Sequence, residues 1–251
     1  MRKRFQPDRA VRDVPRQDPR RMPKRQGVPQ PHNEALPAAF SNLSARIWDL
    51  QQVQTYVVET VEEVLAQRNV PAHRVCSPSL EITIPAIEAM RYSPLRREIA
   101  ALIASTMDRE NADQAHPSFL NILRQLTEDE IRILAAFPSG GRLLPLGNLW
   151  RNHADGSTES VHRNIVPASL ANLCKSSKRI PQYIDNLCRL QLLHEPSGLK
   201  IKDARIYSNL MRQGFVLELL KDKDLRRHST LEKRTVALSG MGEAFRRACL
   251  S

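Results

Sequence analysis

The sequence predicts a mainly α-helical protein of the α+β class, and three observations support this prediction. Helix-start signals recur between residues 77 and 134, with Ser-Pro pairs at Ser77 and Ser93 and a capping box formed by Thr127 and Glu130. After residue 134, short extended segments alternate with helices. Apolar residues follow the start signals at helical spacing: Leu80, Ile84, Ile87 and Met90, then Leu95, Ile99, Leu102 and Ile103, then Phe119, Ile122, Leu123 and Leu126.

The first 33 residues differ from the rest of the chain in charge and composition. They contain ten Lys or Arg, three Asp and six Pro, a net charge of 10 − 3 = +7 out of +11 for the whole sequence. With no apolar stripe, residues 1–33 are predicted to be a disordered basic tail. The tail is either simply solvated or an electrostatic arm for nucleic acid or an acidic partner.

A long helix is predicted from Ser41 to Arg68, within a helical domain that covers residues 34–126. Its apolar seam favours packing inside this domain, with a homo-oligomer or another protein contact through residues 43–64 as the alternative. Pro85 lies inside the next predicted helix, which is therefore expected to begin late or to kink there. The seam of the long helix consists of Leu43, Ile47, Leu50, Gln54, Val57, Val61 and Val64.

The elements after Thr127 predict a second domain, residues 127–251. Their order is helix, strand, helix, helix, strand and a later returning strand, which is typical of a winged helix-turn-helix with a small β-sheet. A helix at 203–221 is then an insertion in the wing, and residues 151–160 are predicted to be a polar loop. The other predicted elements are helix 128–137, strand 142–146, extended segment 161–166, helix 168–174, helix 180–191, strand 192–195, strand 234–238 and a last helix capped by Ser239.

Helix 180–191 divides into an apolar face and a polar face at about 100° per residue. Ile180, Ile184 and Leu187 are expected to pack on the domain, and Asp185 lies beside the polar face, where it would repel phosphate. Amides and cations on one helix face suit contacts to base edges and phosphates, so this face is a candidate nucleic-acid surface. An ordinary solvated face or a protein contact is the alternative. The candidate residues are Lys178, Arg179, Gln182, Asn186 and Arg189.

The sequence contains no recognisable catalytic motif. There is no nucleophile elbow, P-loop, HExxH motif or glycine-rich fingerprint, so an enzyme is disfavoured and no catalytic residue, metal ligand or cofactor is predicted. The four cysteines form no CxxC pair, which favours reduced thiols. The longest apolar run, residues 99–107, is too short to span a membrane, for which about 20 residues are needed. No membrane contact is expected.

Four sequence blocks resemble the Abi-alpha (abortive infection) family of bacterial proteins, namely PSLEITIPAIEAMRY, AHPSFLNILRQLTEDEIRIL, YIDNLCRLQLL and VALSGMGEAF. The resemblance covers about residues 43–250 and implies a cytoplasmic protein tied to phage resistance, with no catalytic residues to carry over. The sequence departs from the family pattern at its basic tail and at Gln191, where the family tends to have Gly. That helix end is expected to close without a left-handed glycine.

Three hypotheses about function follow. The first is a non-enzymatic anti-phage defence protein that senses or binds a partner, DNA or RNA through its winged-helix domain. The second is a protein-interaction adaptor or inhibitor that acts through the helical domain without nucleic acid. The third is a toxin-like effector enzyme.

Overall fold

The structure is a computed structural model that describes residues 47–199 and 201–250. Helices surround a four-stranded antiparallel sheet, so the predicted combination of a mainly helical chain and a small sheet is confirmed. The predicted basic tail, residues 1–33, and the predicted helix start at Ser41 lie outside the described residues.

The first part of the described chain consists of five helices. They are α1 (Leu50–Gln67), α2 (Leu80–Met90), α3 (Arg96–Met107), α4 (Ser118–Leu123) and α5 (Glu128–Ala136). Helix α3 is the centre of this part, because all of its residues from Ile99 to Thr106 are buried. Three of them are alanines, Ala100, Ala101 and Ala104, whose short side chains let neighbouring helices approach closely.

Helix α1 begins later than the sequence predicted. Residues 47–49 are not helical, because Asp49 and Gln52 form a capping box that starts the helix at Leu50. The Asp49 carboxylate accepts a hydrogen bond from the Gln52 amide N–H over 2.7 Å. Val61 and Val64 of the predicted seam face the core, whereas Ile47, Leu50 and Gln54 of the same seam are exposed. Val53, which was not part of the predicted seam, is also buried.

Helix α2 buries a partly different face from the one predicted. Leu80 and Ile84 of the predicted face are 70% and 64% exposed, whereas Ile82 and Ala86, which were not predicted, are buried. Met90 at the end of the helix is buried as predicted. The prediction selected the largest apolar residues, but contact with the alanine-rich α3 favours a face that includes Ala86. Helix α2 starts two residues after the predicted proline start and then continues through Pro85.

The start of α5 is confirmed in detail. The Thr127 hydroxyl accepts a hydrogen bond from the Glu130 amide N–H over 3.4 Å, and the Glu130 carboxylate accepts one from the Thr127 amide N–H over 2.7 Å. These two bonds satisfy backbone donors that have no partner inside the helix. The capping box was predictable because both partners lie within four residues of each other.

The strands are β1 (Leu144–Asn152), β2 (Thr158–Ile165), β3 (Leu193–His194) and β4 (Ser229–Leu238). The sheet order is β2-β1-β4-β3, and all neighbouring strands are antiparallel. The predicted loop 151–160 is wrong, because both of its ends belong to the β1–β2 hairpin. Because its side chains are polar, this segment shows no apolar pattern that would predict strands. The strands are held by the pairing of β1 with both β2 and β4.

Six helices accompany the sheet: α6 (Ala168–Ala171), α7 (Ile180–Arg189), α8 (Ala204–Met211), α9 (Gly214–Leu219), α10 (Lys223–His228) and α11 (Gly240–Cys249). The prediction of one continuous helix at 203–221 is wrong. Gln213 adopts an extended conformation and separates α8 from α9. A glycine at the next position offers little resistance to this break.

The two faces of the sheet contribute to different apolar cores. The larger core continues from α1 to α11 and includes Leu146 of β1 and Val236 of β4. The smaller core joins the β1–β2 hairpin to α8 and α9, and consists of Leu149, Ile165, Tyr207, Leu210 and Val216. All described residues belong to one compact unit. The division into helical and winged-helix domains at Thr127 stays a prediction.

Candidate nucleic-acid interface

Helix α7 packs on the larger core through the apolar face that its sequence predicted. Ile180, Ile184 and Leu187 are buried, and Tyr183 joins them. A short 3-10 turn, Ser177–Arg179, precedes the helix. The five predicted nucleic-acid residues are distributed over this turn and both ends of α7, where they have different surroundings.

The backbone before α7 is held by a buried carboxylate of α5. Asp129 accepts hydrogen bonds from the amide N–H groups of Lys175 and Ser176 over 2.8 and 3.0 Å. It also accepts one from the Tyr183 hydroxyl over 3.2 Å and one from the Arg132 guanidinium over 2.5 Å. The turn that leads into α7 is therefore attached to α5 through its own backbone.

The ionisation of Asp129 follows from these contacts. Burial by itself would raise the pKa of Asp129, but the four hydrogen bonds to its carboxylate outweigh burial and hold the pKa below its ordinary value. Burial and the nearby Asp129 carboxylate raise the pKa of the Tyr183 hydroxyl. Asp129 is thus an anion at neutral pH and Tyr183 is neutral. The pair therefore stabilises the attachment of α7 to α5 without exchanging protons.

The C-terminal end of α7 is held through side chains. The Asn186 side-chain amide donates to the Glu130 carboxylate over 2.7 Å and to the Gln125 carbonyl over 3.1 Å. The Arg189 guanidinium donates to the Gln125 side-chain oxygen over 2.9 Å and to the Asn186 side-chain oxygen over 2.7 Å. Two of the five predicted nucleic-acid residues therefore connect α7 to the segment between α4 and α5.

The helix end itself closes through an unusual backbone conformation. Gln191 has a φ of 58°, in the left-handed region that favours glycine. The Ser239 hydroxyl donates to the Gln191 carbonyl, and the Ser239 amide N–H donates to the Leu192 carbonyl over 3.0 Å. A Cβ added at Gly242 would lie 2.1 Å from the Leu192 carbonyl oxygen, so α11 can pack here only with glycine at this position.

The other three predicted residues lie at the N-terminal end. Lys178, Arg179 and Gln182 are exposed. Among residues 47–199 and 201–250, the side chains of these three residues make no hydrogen bond or ion pair. Two cations and one amide are therefore available at this end of α7.

Asp185 does not act as an isolated negative charge. Its carboxylate accepts a hydrogen bond from the Asn164 side-chain amide over 2.9 Å and forms an ion pair with Arg163 over 3.2 Å. Strand β2 thus supplies a cation that offsets the predicted repulsion. This pairing could not be predicted, because Arg163 and Asp185 are far apart in the chain and meet only through the hairpin.

A buried polar cluster joins α7 to the sheet. Asn164 donates through its side-chain amide to the Pro181 carbonyl over 3.1 Å, and accepts from the Arg234 guanidinium over 3.0 Å. Arg234 also donates to the Asn148 side-chain oxygen over 3.1 Å and forms an ion pair with Glu195. Burial lowers the pKa of the Arg234 guanidinium, which nevertheless stays charged. This cluster fixes the position of α7 without using the exposed end of the helix.

The reactive side chains offer little chemistry. All four cysteines are free, and burial raises the pKa of the Cys174, Cys188 and Cys249 thiols, which keeps them protonated and poorly nucleophilic at neutral pH. Within the described ranges, His, Cys, Asp and Glu side chains form no group of three or more that could hold a metal ion.

The sequence profile described as abortive infection alpha matches residues 50–249 of the chain. This match covers most of the sequence, α7 and Asp129 included. The chain belongs to the abortive infection alpha family. The family resemblance found in the sequence is thereby confirmed, and it connects the protein with abortive infection and phage defence in the broad sense.

Other comparisons add little to the family assignment. Comparison with curated proteins gives no significant match. An uncharacterized protein from the hydrocarbon-degrading marine bacterium Alcanivorax borkumensis SK2 has a solved structure that is 18% identical, with a TM-score of 0.35. The alignment covers 53% of this chain and 92% of that protein. None of the helices in the described part of this abortive infection alpha protein is long and apolar enough to cross a membrane.

Proposed function

We propose that this chain is a non-enzymatic defence protein that contacts nucleic acid through the N-terminal end of α7. The observation that carries the proposal is that the side chains of Lys178, Arg179 and Gln182 are exposed and available. Asn186 and Arg189 at the other end of the helix already make hydrogen bonds within the protein. Cations on such a surface suit phosphates, and an amide suits the edge of a base.

The strand order supports a winged-helix interpretation. In that interpretation α5, α6 and α7 are the three helices, and β1, β4 and β3 are the three strands of the small sheet. Strand β2 is then an added edge strand. The helices α8, α9 and α10 form an insertion between β3 and β4, the two strands of the wing. Helix α7 occupies the position of the recognition helix.

The distribution of charge supports a polyanionic partner. The net charge of the whole sequence is +11, and residues 1–33 account for +7 of it. Cations that neutralise phosphates release counterions, so affinity for DNA or RNA is expected to fall steeply as salt rises. The tail would add affinity without sequence preference, whereas α7 would set the orientation.

A binding titration tests this proposal. Fluorescently labelled duplex DNA, single-stranded DNA and RNA are titrated at low and moderate salt with the full chain and with a Lys178→Gln/Arg179→Gln/Gln182→Ala variant. The variant is expected to bind at least about tenfold more weakly, with a salt dependence shallower by about two phosphate contacts.

A chain without residues 1–33 separates the contribution of the tail from that of α7. It is expected to bind more weakly than the full chain but to remain sensitive to the triple substitution. If none of the three nucleic acids binds the full chain at low salt, or if the variant binds as the full chain does, the proposal fails. In bacteria, the same variant is expected to lose protection against phage, measured as plaque formation.

A second candidate function is protein contact through α1. Leu50 and Val58 on this helix are 52% and 58% exposed, an unusual position for large apolar side chains. Leu50→Asp is expected to lower the molar mass measured by light scattering if this helix joins two copies. An unchanged mass for a full chain that is already monomeric would exclude the homo-oligomer.

A further inference from the structure

A cavity of about 430 Å³ lies beside the N-terminal end of α7. This volume falls within the roughly 300–1,000 Å³ of sites that enclose small organic ligands. Val166, Ala171 and Ile180 contribute to its apolar wall. The start of α9 also lines the cavity, and it is attached to this wall because the Gln213 side-chain amide donates to the Val166 carbonyl over 2.8 Å.

An aromatic pair lines the cavity. The rings of His162 and Phe215 are 5.1 Å apart and inclined by 52°. Phe215 is 43% exposed although the next residue, Val216, is completely buried in the smaller core. Burial lowers the pKa of His162, so its imidazole is neutral at neutral pH. The two rings pack on each other, and the exposed part of Phe215 offers a surface on which a flat heterocycle can stack.

Polar groups suited to an anion line another part of the same cavity. Ser177 and Lys178 are consecutive residues of the 3-10 turn before α7, and both line the cavity. No carboxylate in the described part of the chain forms an ion pair with Lys178. A hydroxyl beside an ammonium group can hold one compact anion, such as a phosphate or a carboxylate.

We propose that this cavity binds a nucleoside monophosphate. The base would stack on the exposed part of Phe215, next to His162, and the phosphate would contact Ser177 and Lys178. An aromatic surface, an apolar wall and a single cation suit a flat ring with one anionic group better than a polyphosphate or a purely apolar ligand. This small-molecule site goes beyond the proposed contact with nucleic acid. It would also give a binding role to the inserted helices, because α9 lines the cavity.

Two glycines provide a matched pair of variants. Gly214 lines the cavity and is the first residue of α9, and a Cβ added there would meet no atom within 4 Å. Gly240 is likewise the first residue of α11 and equally open, but it does not line the cavity. Gly214→Leu therefore places a side chain at the cavity wall, and Gly240→Leu controls for the same change at another helix start.

Calorimetric titration of the full chain with AMP, GMP, CMP and UMP tests the proposal, with adenosine and inorganic phosphate as partial ligands. At least one monophosphate is expected to bind at least about tenfold more tightly than adenosine or phosphate alone. Gly214→Leu should abolish this binding and Gly240→Leu should preserve it. Lys178→Gln, an exposed change that leaves the core intact, should weaken the monophosphate about tenfold but not the nucleoside.

The proposal is overturned if no monophosphate binds at concentrations up to about 1 mM, or if Gly214→Leu binds as the unchanged chain does. Equal affinity for adenosine and AMP would also overturn it, because the phosphate would then make no contact. Duplex binding by Gly214→Leu, measured in parallel, keeps this outcome separate from the test of the nucleic-acid interface.

Discussion

The two ends of helix α7 are attached to the protein in opposite ways. At the N-terminal end, Asp129 holds the preceding turn through backbone N–H groups, and the side chains of the helix end remain exposed. At the C-terminal end, the side chains of Asn186 and Arg189 are themselves the attachment. Both ends are polar and similar in sequence, but only the N-terminal end has side chains available to a partner.

This difference shows that a polar helix face is not by itself a binding surface. The Asn186 amide already satisfies the buried Glu130 carboxylate, and the Arg189 guanidinium already donates to the Gln125 and Asn186 side-chain oxygens. Each would therefore lose these hydrogen bonds if it turned to a ligand. Backbone attachment has no such conflict, because it fixes the helix and leaves every side chain available. The N-terminal end of α7 is therefore the part on which the proposed functions depend.

The largest expected effect concerns the backbone attachment. Asp129→Ala leaves two amide N–H groups and the Tyr183 hydroxyl without their buried acceptor, and should lower the free energy of unfolding by about 4 kcal/mol. Denaturant unfolding measures this. Asp185→Ala is the control, because its exposed carboxylate pairs with Arg163 and the Asn164 amide that it accepts from also donates to the Pro181 carbonyl, so the expected loss is about 1 kcal/mol or less.

Acid should weaken the same attachment. The pKa of Asp129 is lower in the folded protein than in the unfolded chain, so its stabilising contribution is complete above about pH 4 and is lost as the pH falls through the folded-state pKa. Asp129→Asn lacks this contribution at every pH. Its free energy of unfolding should therefore fall less than that of the unchanged chain between about pH 5 and pH 2. Parallel curves for the two proteins would contradict the role of Asp129.

The next effect concerns the packing of α11 on the C-terminal end of α7. Gly242→Ala places a methyl group where the Leu192 carbonyl oxygen lies 2.1 Å away, and the two backbones must separate. We expect a loss of about 3 kcal/mol in the free energy of unfolding. Gly240→Ala, two residues earlier and open to solvent, should leave stability within about 0.5 kcal/mol. Equal effects of the two changes would show that α11 does not pack closely there.

Local signals in the sequence predicted the start of α5 correctly, whereas α1 and α2 start later than predicted. The capping box at Thr127 was predictable because it involves neighbouring residues, and so was the mixture of helices with a small sheet. The buried face of α2 was only partly predicted, because Ala86 and Ala89, which are buried on it, carry little hydrophobic signal. The β1–β2 hairpin was also missed at its polar end, where partner strands far along the chain determine the structure.

The candidate site was predicted only as a set of residues. The sequence predicted that Lys178, Arg179, Gln182, Asn186 and Arg189 lie on one helix face, but it could not show which of these side chains are already hydrogen-bonded within the protein. Gln125 and Glu130, which bind Arg189 and Asn186, precede these partners by more than 50 residues in the chain. His162 and Phe215, from β2 and α9, come together only because the hairpin and the insertion share the smaller core.

A smaller effect concerns the end of α7. Gln191 adopts a left-handed conformation without being glycine, so Gln191→Gly should raise the free energy of unfolding by about 1 kcal/mol. Asn69→Gly is a suitable control, because Asn69 has a similar φ of 53° but asparagine tolerates this region better. Denaturant unfolding of both variants measures the difference. A loss of stability in Gln191→Gly would mean that its side chain contributes more than its backbone costs.

One pair of substitutions tests the difference between the two ends of α7 most directly. Arg179→Gln and Arg189→Gln each remove one cation from the same helix, and each variant is measured twice, for duplex affinity and for the free energy of unfolding. Arg179→Gln should weaken duplex binding about fivefold without loss of stability, whereas Arg189→Gln should lose about 1 kcal/mol of stability without loss of affinity. If Arg189→Gln weakens binding as much as Arg179→Gln, the two ends of α7 are equivalent, and the claim that only the N-terminal end contacts a partner is wrong.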